Sequence, residues 1–449
     1  MSVAPGISRH PYFPERGNEG YWVEHYELSL DYRVGANRLR AAAVISAFAS
    51  RPRSLDTFSL DLSSALRVSG VLVDGEPARF AHRGDKLRVT PARALQEGTL
   101  FAVEVRYGGN PRPLPSRWGG LGWEQLTDGV IVASQPTGAP SWFPCNDDPS
   151  GKSTYRITVT TGSAYEVVAS GRLAGRRRAA STTTWVYEQA EPTATYLASV
   201  QVGRYQSVEV QGPVPQRLVF PSRLGARVLT DFGRQEQMID LFTGMFGPYP
   251  FASYTVVVTG DELEIPVEAQ AMSIFGSNHV DGRRGEERLV AHELAHQWFG
   301  NSLTLENWRE IWLHEGFAAY AEWLWSEASG DETADALADR WHRRLAALPQ
   351  DFLLADPGPR RLFDDRVYKR GALALHALRR ALGDEPFFSL LREWTGTYQH
   401  GAVTTEKFTR MAARFSATAL DGLFSRWLYT ERLPPVPAHR TGDGGGPQR

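Results

Sequence analysis

His292-Glu293-Leu294-Ala295-His296 sets two imidazoles four positions apart with a glutamate beside the first. The segment follows Arg288-Leu289-Val290-Ala291 in a stretch of helical character. Four residues advance a helix by ~400°, so both rings project from one face about a turn apart and can share one cation. Neutral imidazole is a good zinc ligand, and Glu293 lies on the flank of that face, where it can reach a metal-bound water. The plain alternative is a coincidental pentapeptide on a solvated helix. With three fixed positions, chance yields one on the order of once per hundred chains of this length.

A catalytic zinc needs a third protein ligand and one position left for water. Glu315 offers itself a short stretch beyond His296, in Ile311-Trp312-Leu313-His314-Glu315-Gly316-Phe317-Ala318-Ala319-Tyr320. This reads as a second helix, rich in aromatics and long enough to pack antiparallel against the first. Glu315 could equally be a carboxylate favoured at a helix N-terminus by the dipole. Glu322, seven residues on and at nearly the same helical angle, could orient a ligand histidine from behind or be a plain surface charge.

The elements that must carry these groups change character along the chain. From about Tyr21 to about Val210 the pattern has period two, as in Tyr26-Glu27-Leu28-Ser29-Leu30, Phe101-Ala102-Val103-Glu104-Val105 and Tyr155-Arg156-Ile157-Thr158-Val159. Turn signals such as Asp74-Gly75 and Gly108-Gly109-Asn110-Pro111 punctuate these runs, which read as antiparallel strands of a sandwich or curved sheet. After Gly212-Pro213-Val214-Pro215 the period becomes helical over Arg227 to Phe246, and a strand follows at Tyr254 to Thr259. From about Glu286 the reading is helical at 286–300, 308–328, 332–347, 367–382, 385–398, 405–416 and 420–430. The expected organisation is a β-rich domain over 1–212, a mostly helical domain over 213–434, and a disordered tail over 435–449, where Gly444, Gly445, Gly446 and Pro447 stand.

At 449 residues the chain exceeds what one hydrophobic core usually serves, which agrees with two domains. Hydrophobic residues at 42% and charged residues at 22% are ordinary soluble usage, and 49 basic against 51 acidic residues give no field that would attract nucleic acid or an anionic membrane. The single cysteine, Cys145, forms no internal disulfide. No window approaches the ~18 uncharged apolar residues of a membrane span. The opening MSVAPGISRHPYFPERGNEGYW lacks the apolar region of a secretory signal, so a cytoplasmic protein is expected.

HELAHQWFGN followed by WLHEGFAAYAE resembles the gluzincin zinc aminopeptidases of the aminopeptidase N and leukotriene epoxide hydrolase type, over about residues 10 to 434. The resemblance implies an α+β multidomain fold: an N-terminal β-sandwich or saddle, then a thermolysin-like helical catalytic domain. It also implies one zinc ion on His292, His296 and Glu315, with Glu293 as general base and peptides as substrates. Many family members continue into a large helical C-terminal domain. This chain matches the short form without it, for which a more open site and longer peptides are expected.

The family's oxyanion-binding tyrosine stands in a Tyr-x-Lys-Gly setting. Tyr368-Lys369-Arg370-Gly371 matches with arginine for lysine, so the resemblance points to Tyr368. A phenol donor aimed at a developing negative charge favours the transition state over the ground state. The family's amine-binding glutamate lies in Gly-x-Met-Glu-Asn, a motif absent here. Glu262, Glu264 and Glu268 compete in Gly260-Asp261-Glu262-Leu263-Glu264-Ile265-Pro266-Val267-Glu268. Aligning Val267-Glu268 on Met-Glu selects Glu268, because Met272 to Phe275 then falls where the family has its edge strand; Glu264 is second. Gln135 stands ten residues before the cysteine of Phe143-Pro144-Cys145, as does a substrate-binding Gln or Glu in the family, although Ala139-Pro140 departs from the family's Ala-Arg. Gln135 could otherwise be an ordinary loop residue, and Cys145 reads as a small packing residue.

His279, His314, His376 and His400 read as ordinary histidines, and Trp308, Trp312, Trp323 and Trp325 as core. Arg176-Arg177-Arg178 reads as a solvated loop. The reading that results is a zinc aminopeptidase. A zinc endopeptidase is the alternative that the altered amine-binding segment permits, and a non-catalytic binding protein on the same fold is a third.

Overall fold

The computed structural model describes residues 10–50 and 54–437. Period two in the first half becomes a sheet of eight strands. Its order runs Arg172–Ala179, Thr182–Ala194, Lys152–Gly162, Tyr21–Arg33, Arg38–Ala49, Leu100–Gly109, Leu66–Val73 and Glu76–Pro77. Tyr26, Leu28, Leu30 and Tyr32 alternate inward along one strand and pack with Ile45, Val103, Ile157 and Trp185 into one core. The expected antiparallel pairing holds except at the centre. Tyr21–Arg33 lies parallel to Lys152–Gly162, with Leu28 opposite Ile157. More than a hundred residues separate those strands, ample for a crossover that a tight hairpin could not make.

Arg176-Arg177-Arg178 departs from the solvated loop expected of it. These residues belong to the sheet's edge strand, where Arg177 pairs with Thr184. Three consecutive charges hide the alternation, but an exposed edge tolerates charge on both faces. The Arg176 guanidinium also lies 4.0 Å from the centroid of the Trp185 ring.

A second core begins near residue 194 and runs to Leu428. Its sheet has the order Gln206–Val210, Gln216–Phe220, Tyr254–Val258, Met272–Phe275 and Val267–Ala269. The change of period near residue 213 falls in the turn of its first hairpin, where Val208 pairs with Leu218. The crossover to Tyr254–Val258 contains α1 (Gly225–Asp231) and α2 (Gln235–Phe246). One helix was expected there; Phe232-Gly233-Arg234 interrupts it, leaving Leu229 exposed.

Among the described residues seven helices follow: α3 (Glu287–Ala295), α4 (Trp312–Ala328), α5 (Ala334–Ala346), α6 (Asp365–Leu382), α7 (Asp384–Thr397), α8 (Thr405–Ala413) and α9 (Asp421–Leu428). Each lies within a stretch of expected helix or begins at most two residues before it. Trp308, Trp312, Trp323 and Trp325 are all core, as is Cys145 in the first domain. Asp364, four residues before Tyr368, caps α6 by accepting from the Arg366 amide at 3.0 Å. Helices α4 and α6 cross at two glycines. A methyl group on Gly371 would sit 2.6 Å from the Gly316 Cα, and one on Gly316 would sit 2.8 Å from the Gly371 Cα. Residues 438–449, most of the expected tail, lie outside the described residues.

Candidate active site

Helix α3 delivers His292 and ends at His296, and the two ring centroids lie 4.8 Å apart. The near side of α4 delivers Glu315. Its Oε2 is 3.5 Å from Nε2 of His292 and 3.5 Å from Nε2 of His296. On the other side of each ring an acceptor takes Nδ1: Glu322 Oε1 at 2.8 Å for His292 and the Phe299 carbonyl at 3.0 Å for His296. Those acceptors fix the tautomer, leaving both Nε2 lone pairs aimed at the same space as the carboxylate.

The donor set fits zinc. Four-coordinate zinc with bonds of ~2.0–2.1 Å has ligands about 3.3 Å apart, close to both separations from Glu315. All three donor atoms lie within 4.8 Å of one another and all three residues are buried. The electrostatics agree. Burial disfavours a charged ring, yet Glu315 and Glu322 push His292 up to about 9, while Glu268 and Glu315 push His296 up to about 10. Glu315 is held well below the usual carboxylate range: burial opposes ionisation, but His296 and His292 outweigh it. Such an appetite for positive charge suits a divalent cation.

Glu293 is buried beside this set, and its Oε2 has no hydrogen-bond partner among the described residues. Burial pushes its carboxyl up to about 7 against the pull of both imidazoles. Glu268 lies on the edge strand Val267–Ala269, opposite Ser273. Its carboxylate, one oxygen of Glu293 and a nitrogen of His296 also fall within 4.8 Å of one another. Burial, offset in part by His296, raises the Glu268 carboxyl as well. The strand and its hairpin partner are tied to the chain that follows α3 by Gln297, whose amide donates to the Ala269 carbonyl at 3.5 Å and the Met272 carbonyl at 3.3 Å, and by Asn301, which donates to the Ala269 carbonyl at 2.8 Å.

Gln135 reaches this corner from the first domain and donates to Glu268 Oε1 at 2.5 Å. The Tyr368 ring stacks on His292 with centroids 6.0 Å apart and planes 15° apart, and burial followed by Glu315 raises its hydroxyl well above the ordinary tyrosine value. Glu322 is buried as well; Lys369 and His292 hold it at about 2 although burial alone would raise it. Glu264 and Glu262 stay exposed in the loop before Pro266, apart from the groups brought together.

Residues 232–427 match the peptidase family M1 domain, and residues 23–197 match the peptidase M1 N-terminal domain. The chain belongs to peptidase family M1. It is 25% identical over 448 residues to leukotriene A-4 hydrolase of Xenopus laevis, covering 92% of this chain and 71% of that protein. To aminopeptidase B of Rattus norvegicus it is 24% identical over 466 residues, with coverage of 92% and 70%. Among solved structures it is similar to an M1 zinc metallopeptidase from Deinococcus radiodurans, at 30% identity and a TM-score of 0.86, covering 95% of this chain and 98% of that one. A two-domain M1 zinc metallopeptidase mutant bound to L-arginine gives 29% identity and a TM-score of 0.87, with the same coverage. This M1 peptidase is thus a zinc-dependent hydrolase of peptide bonds with one catalytic zinc ion, and aminopeptidases are among its relatives.

Residue type and spacing assign no role to Lys369, Arg370, Gly316 and Gly371, although all four stand in the motifs. Arg370, standing for the family's lysine, turns away from the metal site. Its guanidinium donates to the carbonyls of Trp427 at 3.2 Å, Glu431 at 2.7 Å and Thr430, closing the C-terminal end of α9. Lys369 faces Glu322 instead.

Proposed function

We propose that this M1 peptidase acts as an aminopeptidase in which His292, His296 and Glu315 hold the zinc ion, Glu293 is the general base, Tyr368 binds the oxyanion, and Glu268 with Gln135 recognises the free amino terminus of a peptide. Bound there, zinc supplies the Lewis acidity that polarises the scissile carbonyl and acidifies water. Glu293 takes a proton from the attacking water on its free Oε2 and passes it to the leaving amine nitrogen. Tyr368 donates its hydroxyl to the oxygen that gains negative charge, and its high proton affinity keeps that donor in place. Glu322 fixes the His292 ring.

The observation that carries the aminopeptidase reading is the Gln135–Glu268 contact beside the imidazoles. Three buried carboxylates against one divalent cation leave a single negative charge, which a substrate ammonium cancels. Glu268 pairs with that ammonium, and Gln135 holds Glu268 at Oε1. An N-terminus anchored there presents the first peptide bond to Glu293. A reducing compartment such as the cytoplasm is compatible with a buried, unpaired Cys145. Among the described residues no helix is long and apolar enough to cross a membrane.

The deciding experiment uses matched peptides with free and acetylated N-termini, cut by the native enzyme and by Glu293→Gln. The native enzyme should cut only the free peptide, and Glu293→Gln should retain zinc while losing activity. Equal cleavage of the acetylated peptide would make the protein an endopeptidase, and a fully active Glu293→Gln would remove the general base.

A further inference from the structure

We propose that Lys369 is a positioning residue that acts through Glu322 to set how tightly His292 holds the metal. The proposal rests on the reading of His292 as a zinc ligand. Glu322 is a carboxylate with little access to water, and it accepts from His292 Nδ1 at 2.8 Å. A buried carboxylate without a counter-ion is costly and moves toward any cation within reach. Lys369 Nζ lies 3.5 and 3.4 Å from the two Glu322 oxygens, and Lys369 is itself buried. Arg288 reaches Glu322 only at 3.6 Å and is 58% exposed, so solvent screens it. Lys369 is thus the buried counter-ion.

Placement on the helices adds to this. Lys369 follows Tyr368 in α6, and the Tyr368 ring stacks on the same imidazole that Glu322 holds. Lys369, Glu322, His292 and Tyr368 therefore close a loop through α6, α4 and α3. The indole of Trp341 bounds the lysine on its outer side, 5.1 Å from Nζ to the ring centroid, and restricts where the ammonium can go. The neighbouring Arg370 cannot substitute, because its guanidinium is committed to the carbonyls after α9. Without Lys369, Glu322 would turn toward Arg288 and solvent, and the His292 ring would lose its fixed orientation.

The test is the zinc dissociation constant of the full chain, measured by competition with a chelator for Lys369→Met, Lys369→Arg, Glu322→Gln, the Glu322→Gln/Lys369→Met double variant and His292→Ala. Loss of a group that orients a metal-binding histidine weakens binding by roughly 10–100-fold, and Lys369→Met should fall in that range. Lys369→Arg should restore most of the affinity. The double variant should bind no more weakly than Glu322→Gln alone, because the lysine works only through that carboxylate. At saturating zinc, Lys369→Met should lower kcat and leave KM for a free-amine peptide unchanged. If Lys369→Met does not fold, Lys369→Gln carries the same comparison. Native zinc affinity in the lysine variant, or additive losses in the double variant, would overturn the proposal while His292→Ala still loses the metal. Native affinity in His292→Ala would instead remove the ligand assignment beneath it.

Discussion

Gln135 and Glu268, 133 positions apart in the chain, meet through a hydrogen bond of 2.5 Å beside the candidate metal ligands. The amide donor satisfies one carboxylate oxygen and leaves the other for a ligand. If Glu268 recognises the substrate's amino terminus as proposed, the first domain contributes to that recognition through Gln135.

Glu268→Gln should lower kcat/KM for free-amine peptides by about 10–100-fold, the size of a lost hydrogen bond to a charged group at 1.5–3 kcal/mol. Gln135→Ala should act in the same direction and more weakly, because the charge remains. Steady-state kinetics on dipeptide arylamides will read both. Zinc content should be unchanged, since neither side chain is needed to hold the ion.

The role proposed for Tyr368 differs from these two in acting on the transition state. Tyr368→Phe keeps the ring that stacks on His292 and removes only the donor. It should reduce kcat by about 100–1000-fold with KM little altered, the pattern for one lost oxyanion donor. A rise in KM without loss of kcat would assign the hydroxyl to ground-state binding instead.

The part of this site that rests on local geometry was legible beforehand. His292, Glu293 and His296 share one helical turn, so their spacing alone predicts convergence. Glu315 is a candidate third ligand from the need for one and its place on the next helix, with a plain N-terminal carboxylate as the alternative, whereas Tyr368 is legible only because its flanking residues resemble a family. Glu268 was separable from Glu264 only by alignment, and the structure buries the first and exposes the second. Lys369, Gly316, Gly371 and Lys152 gave no signal. Their partners lie 47, 55 or about 150 positions away, and pairing at that distance is set by packing, which periodicity does not encode.

The two-glycine crossing makes a prediction about how the site is assembled. Glu315 precedes Gly316 and Tyr368 lies three residues before Gly371, so the spacing between α4 and α6 sets the distance between the proposed ligand and the proposed oxyanion donor. Gly371→Ala would push a methyl against the Gly316 Cα and should destabilise the fold by about 1–3 kcal/mol, as overpacking does. Its activity at saturating zinc should fall beyond any loss of folded protein. Denaturant melts and active-site titration separate the two effects; a stable, fully active Gly371→Ala would mean that the helices can part without disturbing the chemistry.

Lys152 makes a prediction about pH. Its Nζ crosses from the first domain to donate to the carbonyls of Asn301 at 2.9 Å and Ser302 at 2.7 Å, in the loop that follows the metal-site helix. Desolvation pushes the amine down to about 7. In the unfolded chain it titrates near 10.4. Below pH 7 both states carry the proton, and the penalty for burying the charge is present in full. Between about 7 and 10 the unfolded chain holds a proton that the folded chain has released, so this group's contribution to stability rises with pH. The nearby His314 and His400 rings are pushed down by burial and stay neutral throughout that window. Lys152→Met removes the titration and leaves two carbonyls unpaired. Denaturant midpoints from pH 6 to 10 should show native stability gaining on that of Lys152→Met as pH rises; a constant difference would mean that the buried amine keeps its proton across the range.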